Sequence, residues 1–224
     1  PVTDQVVLNY AVPQTIDAGS PISVCSNNAN VKLNGVSSTN SGVWSGGAGS
    51  YSPSANALNA VYTPTPAEIA SGSLVLTLTA SNTGGCTPMT DQVTITFTAI
   101  PTITFASGGN STVCADNPAV SITSSTTVAS GLLWSGGNGS YSPNNTSLNF
   151  TYTPSTNEIN SGSVVLTAAS SNNLSCLAVS ASYQITINPA PTINAGSDLV
   201  LCGNVTSANL TANVTVASGV IWSI

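Results

Sequence analysis

Trp44-Ser45-Gly46-Gly47-Ala48-Gly49-Ser50-Tyr51-Ser52-Pro53 returns ninety positions later as Trp134-Ser135-Gly136-Gly137-Asn138-Gly139-Ser140-Tyr141-Ser142-Pro143, and Trp222-Ser223 opens a third copy. Self-similarity at a fixed period decides architecture before any residue chemistry is considered. Working outward, the offset of 90 holds from Trp44 to Cys86 and from Trp134 to Cys176. Cys25, Cys114 and Cys202 follow one another at 89 and 88, and Pro13, Pro101 and Pro191 at 88 and 90. The one- and two-residue slips fall between landmarks, where loops absorb them. Pro1-Val2-Thr3-Asp4-Gln5-Val6 copies Pro88-Met89-Thr90-Asp91-Gln92-Val93. The predicted division is therefore 1–12 as the last strand of a preceding repeat, 13–100 and 101–190 as whole repeats, and 191–224 as the start of another.

Strand signals fill each unit. Leu74, Leu76 and Leu78 alternate with Ser73, Val75, Thr77 and Thr79, a period of two with one apolar face. Val93, Ile95 and Phe97 alternate with Thr94, Thr96 and Thr98, and their copies are Val6, Leu8, Tyr10 and Tyr183, Ile185, Ile187. Threonine suits the outer face because a β-branched side chain fits the pleat. Leu58-Ala60-Tyr62 matches Leu148-Phe150-Tyr152, and Val31-Leu33 matches Val120-Ile122 and Ala208-Leu210. About seven short strands in about 90 residues, joined by Gly-rich turns, predict an all-β fold of tandem immunoglobulin-like antiparallel β-sandwiches in a rod-like array. Short Pro-bearing junctions (Thr98-Ala99-Ile100-Pro101 and Asn188-Pro189-Ala190-Pro191) favour stiffness over a flexible tether.

In this frame Trp44, Trp134 and Trp222 are core anchors on the third main strand. The Gly-Gly-x-Gly that follows supplies positive-φ positions for a tight turn. A phosphate-cradling loop would need a following helix and usually a Lys, and neither is there. Thr65-Pro66-Ala67-Glu68 reads as a capping box with Pro at the first helical position, repeated as Ser155-Thr156-Asn157-Glu158. Each should start one helical turn ending at Ser71-Gly72 or Ser161-Gly162, with Ile69 or Ile159 turned inward. Glu68 and Glu158 are thus structural. Asp17, Asp116 and Asp198 do not align with one another, so no acid site repeats, and a loop Ca²⁺ site needs several oxygen ligands together.

Composition excludes whole classes of function. Charged residues are 4% of the chain, with one Lys (Lys32), no Arg and no His. Phosphate neutralisation, and with it electrostatic binding of nucleic acid, needs Lys and Arg. Attraction to anionic lipid fails on the same ground, and no apolar run approaches a membrane span. A nucleophilic Ser or Cys needs a base the chain does not offer, and no carboxylate pair recurs for glycosidic chemistry. The reading is no enzyme, no cofactor and no metal. Asn-x-Ser/Thr triplets at Asn110, Asn145, Asn149 and Asn213 are expected by chance in so Asn-, Ser- and Thr-rich a chain.

Five cysteines at recurring positions (Cys25, Cys86, Cys114, Cys176, Cys202) are disulfide candidates and imply an oxidising, extracellular setting. Two pairings stand. Within a repeat, Cys25 would join Cys86 and Cys114 would join Cys176. In an immunoglobulin-like topology, however, Cys25 ends the opening strand while Cys86 sits in the last hairpin, at opposite poles about 25 Å apart. A disulfide needs Cα atoms within about 7 Å. A Cys25–Cys176 bond avoids that conflict and leaves Cys86, Cys114 and Cys202 to other repeats.

The Pro191-Thr192-Ile193-Asn194-Ala195-Gly196 opening before Cys202, the Trp-Ser-Gly-Gly-x-Gly-Ser-Tyr-Ser-Pro core and the Tyr-Thr-Pro…Glu-Ile…Ser-Gly-Ser segment resemble the tandem repeats of the SprB-like gliding-motility adhesins of Bacteroidetes. The resemblance covers essentially the whole chain. It implies a structural stalk segment of a long cell-surface adhesin filament, exported by type IX secretion, associated with the outer membrane and carried by the gliding machinery. Its partners would be neighbouring repeats of the same chain, that machinery, and external surfaces or polysaccharides, with no nucleic acid and no membrane insertion. No catalytic or binding residue is part of the repeat motif. The rival expectations are a carbohydrate-binding module array, for which Tyr51 and Tyr141 would have to form an exposed coplanar platform, and a surface-layer scaffold.

Overall fold

A computed structural model of the chain describes residues 2–10, 12 and 14–223; Pro1 and Pro13, where the first two predicted segments begin, lie outside them. The chain divides into two compact units, Pro1–Pro101 with Asn173–Ala178, and Thr102–Asn172 with Val179–Ile224. The fold is all-β and immunoglobulin-like, with one short helix in each of two sandwiches.

The first sandwich runs β1 (Ile16–Asp17), β2 (Ile22–Cys25), β3 (Val31–Lys32), β4 (Val36–Ser37), β5 (Gly42–Ser45), β6 (Ser50–Ser52), β7 (Val61–Thr63), α1 (Pro66–Ala70), β8 (Ser73–Ala80) and β9 (Thr90–Thr98). One layer has the order β2-β9-β8-β5, and the other is built from β3-β7-β6 and the pair β1-β4. The second repeats this as β10 (Thr102–Phe105), β11 (Asn110–Cys114), β12 (Val120–Thr127), β13 (Gly131–Ser135), β14 (Ser140–Ser142), β15 (Asn149–Thr153), α2 (Thr156–Ser161), β16 (Ser163–Ser171) and β17 (Ser180–Asn188). Its layers are β10-β12-β15-β14 and β11-β17-β16-β13.

The period-two patterns place the cores. Leu76, Leu78, Val93, Ile95 and Phe97 point from β8 and β9 against Val31, Leu33, Ala60 and Tyr62 of the opposite layer. Trp44, on the strand that flanks β8, is 2% exposed. Trp134 takes the same place beside β16, against Phe150 at a ring-centroid distance of 4.9 Å. Removing a buried aromatic of this size costs about 3–5 kcal/mol, because transfer and cavity costs add.

Two features depart from the simple strand count. The single opening strand expected in each repeat is split between layers. β1 pairs antiparallel with β4, whereas β2 pairs parallel with β9, placing Ile22 opposite Ile95 and Cys25 opposite Thr98. β10 and β11 divide in the same way between β12 and β17. Gly19 (φ +87) makes the first crossing, and Gly108 and Gly109 (φ +73 and +87) make the second. The other departure is the interruption between β3 and β4, where β12 is continuous. A Cβ on Gly35 would come within 2.7 Å of Leu78 and 2.9 Å of Trp44, so the backbone there lies directly on the core.

Residues 2–10 and 12, whose sequence copies a closing strand, are exposed and outside any strand. A strand exists through its ladder, and β9 owes its own to β8 and β2. In 191–223 the ordered pairing is β18 (Thr192–Asn194) with β19 (Asn213–Thr215), in the manner of β1 with β4. Trp222, expected as a core anchor, is 46% exposed. Trp134 is covered from both sides in sequence, by Phe105 of β10 and Phe150 of β15, and the Trp44 core likewise draws on Leu33 before it and Leu78 after it; Trp222 has no such cover among the described residues.

Candidate functional site

Each sandwich carries the same polar clasp, centred on the glutamate of its capping box. Thr65 caps α1, its side chain accepting from the Glu68 N–H and the Glu68 carboxylate accepting from the Thr65 N–H. Ser155 and Glu158 cap α2 likewise. The carboxylate does more than cap. Glu68 Oε2 accepts from Thr65 N (2.7 Å) and Thr65 Oγ1 (2.9 Å), while Oε1 accepts from the Tyr62 hydroxyl (2.7 Å) and from Ala48 N (2.6 Å). The Tyr62 oxygen in turn accepts from Gly49 N at 2.9 Å. In the second sandwich Glu158 takes the Ser155, Tyr152 and Asn138 donors, and the Tyr152 oxygen accepts from Gly139 N. The helical turn is thereby tied to the glycine loop through one carboxylate, half-buried in the first sandwich and buried in the second.

This contact explains the Gly-Gly-x-Gly. Gly47 has φ +71, and a Cβ there would fall 2.0 Å from the Tyr62 hydroxyl. Gly49 needs no positive φ; its Cβ would sit 2.2 Å from the Thr63 carbonyl. Gly137 and Gly139 face Tyr152 and Thr153 at the same two distances.

Burial alone pushes the Glu68 carboxyl up. The N–H groups of Thr65 and Ala48, with the Tyr62 and Thr65 hydroxyls, outweigh that and hold it at about 2. Glu158 is lowered by the corresponding donors against the same burial. Tyr62 is pushed up to about 12, by burial first and then by its bond to Glu68. A carboxylate this strongly held stays ionised at neutral pH with its oxygens engaged, which suits it to fastening and not to proton transfer. The pH consequence has a definite sign. Because the folded pKa lies below the ordinary 4.5, the clasp's contribution is complete above about pH 4.5 and is lost as the pH falls toward 2. Asp91, lowered by the N–H groups of Ala18 and Gln92, acts in the same direction. The diagnostic is therefore a difference. Between pH 5 and 2, urea-denaturation midpoints of the Glu68→Gln chain should fall less steeply than those of the unsubstituted chain, and parallel profiles would refute the clasp.

The second feature is covalent. Cys25 and Cys176 form a disulfide with Cα atoms 4.9 Å apart, across 151 positions of sequence. The segment Asn173–Ala178 is part of the first compact unit, although its neighbours in sequence belong to the second. There the Asn27 amide donates to Leu177 O (3.1 Å) and accepts from Leu177 N (3.0 Å), and the Asn28 amide donates to Ser175 O (3.0 Å). Cys86, Cys114 and Cys202 are free. Cys25 lies beside Thr98 at one end of β9, whereas Cys86 belongs to the hairpin that enters its other end.

Of the unaligned acids, Asp17 accepts from Gly19 N at 2.7 Å in a local turn. Among the described residues no three His, Cys, Asp or Glu side chains gather where a metal ion could sit. No helix among them is long and apolar enough to cross a membrane. Tyr51 and Tyr141, whose placement bears on a sugar platform, lean on the cores. The Tyr51 ring is tilted 56° to Tyr62 at 4.8 Å, and its hydroxyl donates to Gly46 O at 2.9 Å. Tyr141 lies against Phe150 and Tyr152.

The capping boxes and the tryptophans were visible as motifs. The tyrosine-to-glutamate bond was not, although the six-residue spacing of Tyr62–Glu68 and Tyr152–Glu158 is its signature. The amide grip of Asn27 and Asn28 had no signal at all, since asparagine abounds in the chain.

No protein-family model and no curated protein matches this sequence. Among solved structures it is similar to immunoglobulin domains 1–5 of Sidekick-1, with 15% identity over 83% of this chain and 41% of that one, at a TM-score of 0.38. It is also similar to Drosophila N-cadherin EC1-4 (11% identity, 80% and 50% covered, TM-score 0.39) and to titin domains I67-I69 (14%, 82% and 68%, 0.42). The chain thus spans half or less of the length of the first two. Likeness this distant carries no assignment of activity.

Proposed function

We propose that this chain is a passive, load-bearing stalk segment of a long extracellular adhesin filament on a cell surface, of the SprB-like gliding-motility kind. The observation that carries the reading is the Cys25–Cys176 bond, which encloses residues 26–175 in a covalent loop. A pull on the chain from outside that loop passes through two sulfur atoms and bypasses most of both cores. Three further features support it. Each repeat buries its own tryptophan-centred core, as a tandem array requires. A disulfide of this span fits an oxidising compartment outside the cytosol. The surface is almost uncharged, so its hydration and contacts are insensitive to salt.

In this reading the parent is exported by type IX secretion, sits on the outer membrane, and moves with the gliding machinery while gripping external surfaces or polysaccharides. The carbohydrate-module alternative needs a flat exposed aromatic platform, and the tilted, core-packed Tyr51 and Tyr141 do not favour it. The test is to label live cells that carry the sequence with antibody against this chain. Threads of label travelling along the cell surface are expected; a static or intracellular label would overturn the gliding assignment.

A further inference from the structure

We propose that Cys114, with Asp116 and Asn117, forms a second socket of the kind Cys25 occupies, and that its occupant is the Cys86 hairpin of another copy of this chain. The two cysteines end equivalent strands in equivalent surroundings. β2 closes with Cys25 beside Thr98, and β11 closes with Cys114 beside Asn188. Cys25 bridges Asn28 and Cys114 bridges Asn117, in turns closed by Asn28 N→Cys25 O (2.9 Å) and Asn117 N→Cys114 O (3.0 Å). Each sulfur lies 3.7 Å from a carbonyl of the following junction, Ala99 for one and Pro189 for the other. One socket is filled; the other holds a free thiol.

The filled socket shows what the open one reads. Asn27 and Asn28 hydrogen-bond to main-chain atoms of the incoming hairpin, at Leu177 and Ser175, so this part of the recognition reads a backbone shape. The Cys86 hairpin shares most of that shape, with Asn82 and Gly84 at φ +58 and +59 where Asn172 and Leu174 have +55 and +57, and departs from it at Gly85 (φ +93). Its turn closes by Cys86 N→Thr83 O at 3.0 Å, as the bound one closes by Cys176 N→Asn173 O at 3.0 Å. Asn117 keeps the amide that reads a carbonyl. Asp116 stands where Asn27 does and retains an acceptor, but as a carboxylate it has no N–H to donate. Cys202 is a natural control, being exposed, outside any strand, and followed by Val205 where Asn28 and Asn117 stand.

Bond formation takes an oxidant, for which oxidised glutathione serves. The Cys114 thiolate attacks it and expels one glutathione thiolate; the Cys86 thiolate of the second copy then attacks the mixed disulfide and expels another. The two protein thiols lose two protons and two electrons, and glutathione disulfide becomes two glutathiones. One open socket and one unused hairpin per copy make the association head-to-tail, which propagates instead of closing.

The experiment incubates the full chain in a glutathione redox buffer, with non-reducing gels and peptide mapping as readouts. A ladder of oligomers joined by Cys114–Cys86 peptides is expected. Cys86→Ser or Cys114→Ser alone should stay monomeric, their equimolar mixture should stop at a dimer, and Cys202→Ser should leave the ladder unchanged. Asp116→Asn should raise the dimer-to-monomer ratio about fivefold and Asn117→Ala should lower it by a similar factor, the worth of one hydrogen bond. An intact Cys25–Cys176 peptide certifies the fold of every variant. Oligomers that survive Cys114→Ser, oligomers joined through Cys202, or no oligomer once Cys25–Cys176 has formed would each overturn the proposal.

Discussion

Stretched from its two ends in the oxidised state, the chain should lengthen by no more than the 74 residues outside the disulfide loop, about 250 Å at ~3.4 Å per residue. Reduction, or Cys176→Ser, should release the 150 enclosed residues and add about 500 Å. No other single change should alter the mechanical record as much. The loop contains β3 to β9 of the first sandwich and β10 to β16 of the second, with both buried tryptophans. Force can strip β1 and β2 from one end and β17 from the other, but it cannot draw out what the sulfur bridge encloses. Single-molecule stretching with and without reductant measures this directly. Equal contour lengths in the two conditions would remove the observation on which the stalk reading rests.

The second large effect belongs to one glycine. Gly47→Ala is expected to destabilise the first sandwich by about 3–5 kcal/mol, since the added methyl both meets the Tyr62 hydroxyl and must adopt a left-handed backbone. The hydroxyl cannot retreat without leaving Glu68 Oε1 and Gly49 N, so steric relief would break the clasp. Gly72→Ala is the matched control, with φ +81 and no atom within 4 Å of the new Cβ. It should cost only the backbone component, about 1–2 kcal/mol. Hydrogen exchange at Leu76 and Leu78 amides, which reports on that core, separates the two. If Gly47→Ala proved as mild as Gly72→Ala, the close approach of loop and tyrosine would be wrong. Gly137→Ala against Gly162→Ala repeats the comparison in the second sandwich, where Gly162 has φ +78 and an uncrowded Cβ position.

What the sequence by itself determined is what short-range chemistry can encode. The ninety-residue period, the alternation of Leu74 to Leu78 and of Val93 to Phe97, the capping boxes at Thr65 and Ser155, and the tryptophans that fill Trp44's and Trp134's places are each legible in a window of a few residues. The near-absence of charge was legible too, since it is a matter of composition alone. Tertiary structure decided whatever depends on segments far apart in the chain. It split the opening strand between two layers at Gly19, because both β4 and β9 offer an edge there. It left Trp222 exposed, because a tryptophan is a core residue only where a facing layer covers it. It turned Glu68 from a helix cap into the anchor of a loop twenty residues earlier. It also chose Cys176 over Cys86 for Cys25, since the length of β9 holds Cys25 and the Cys86 hairpin at opposite ends of the sheet. Periodicity is written residue by residue, whereas proximity between distant residues is created only when the sheets close on each other.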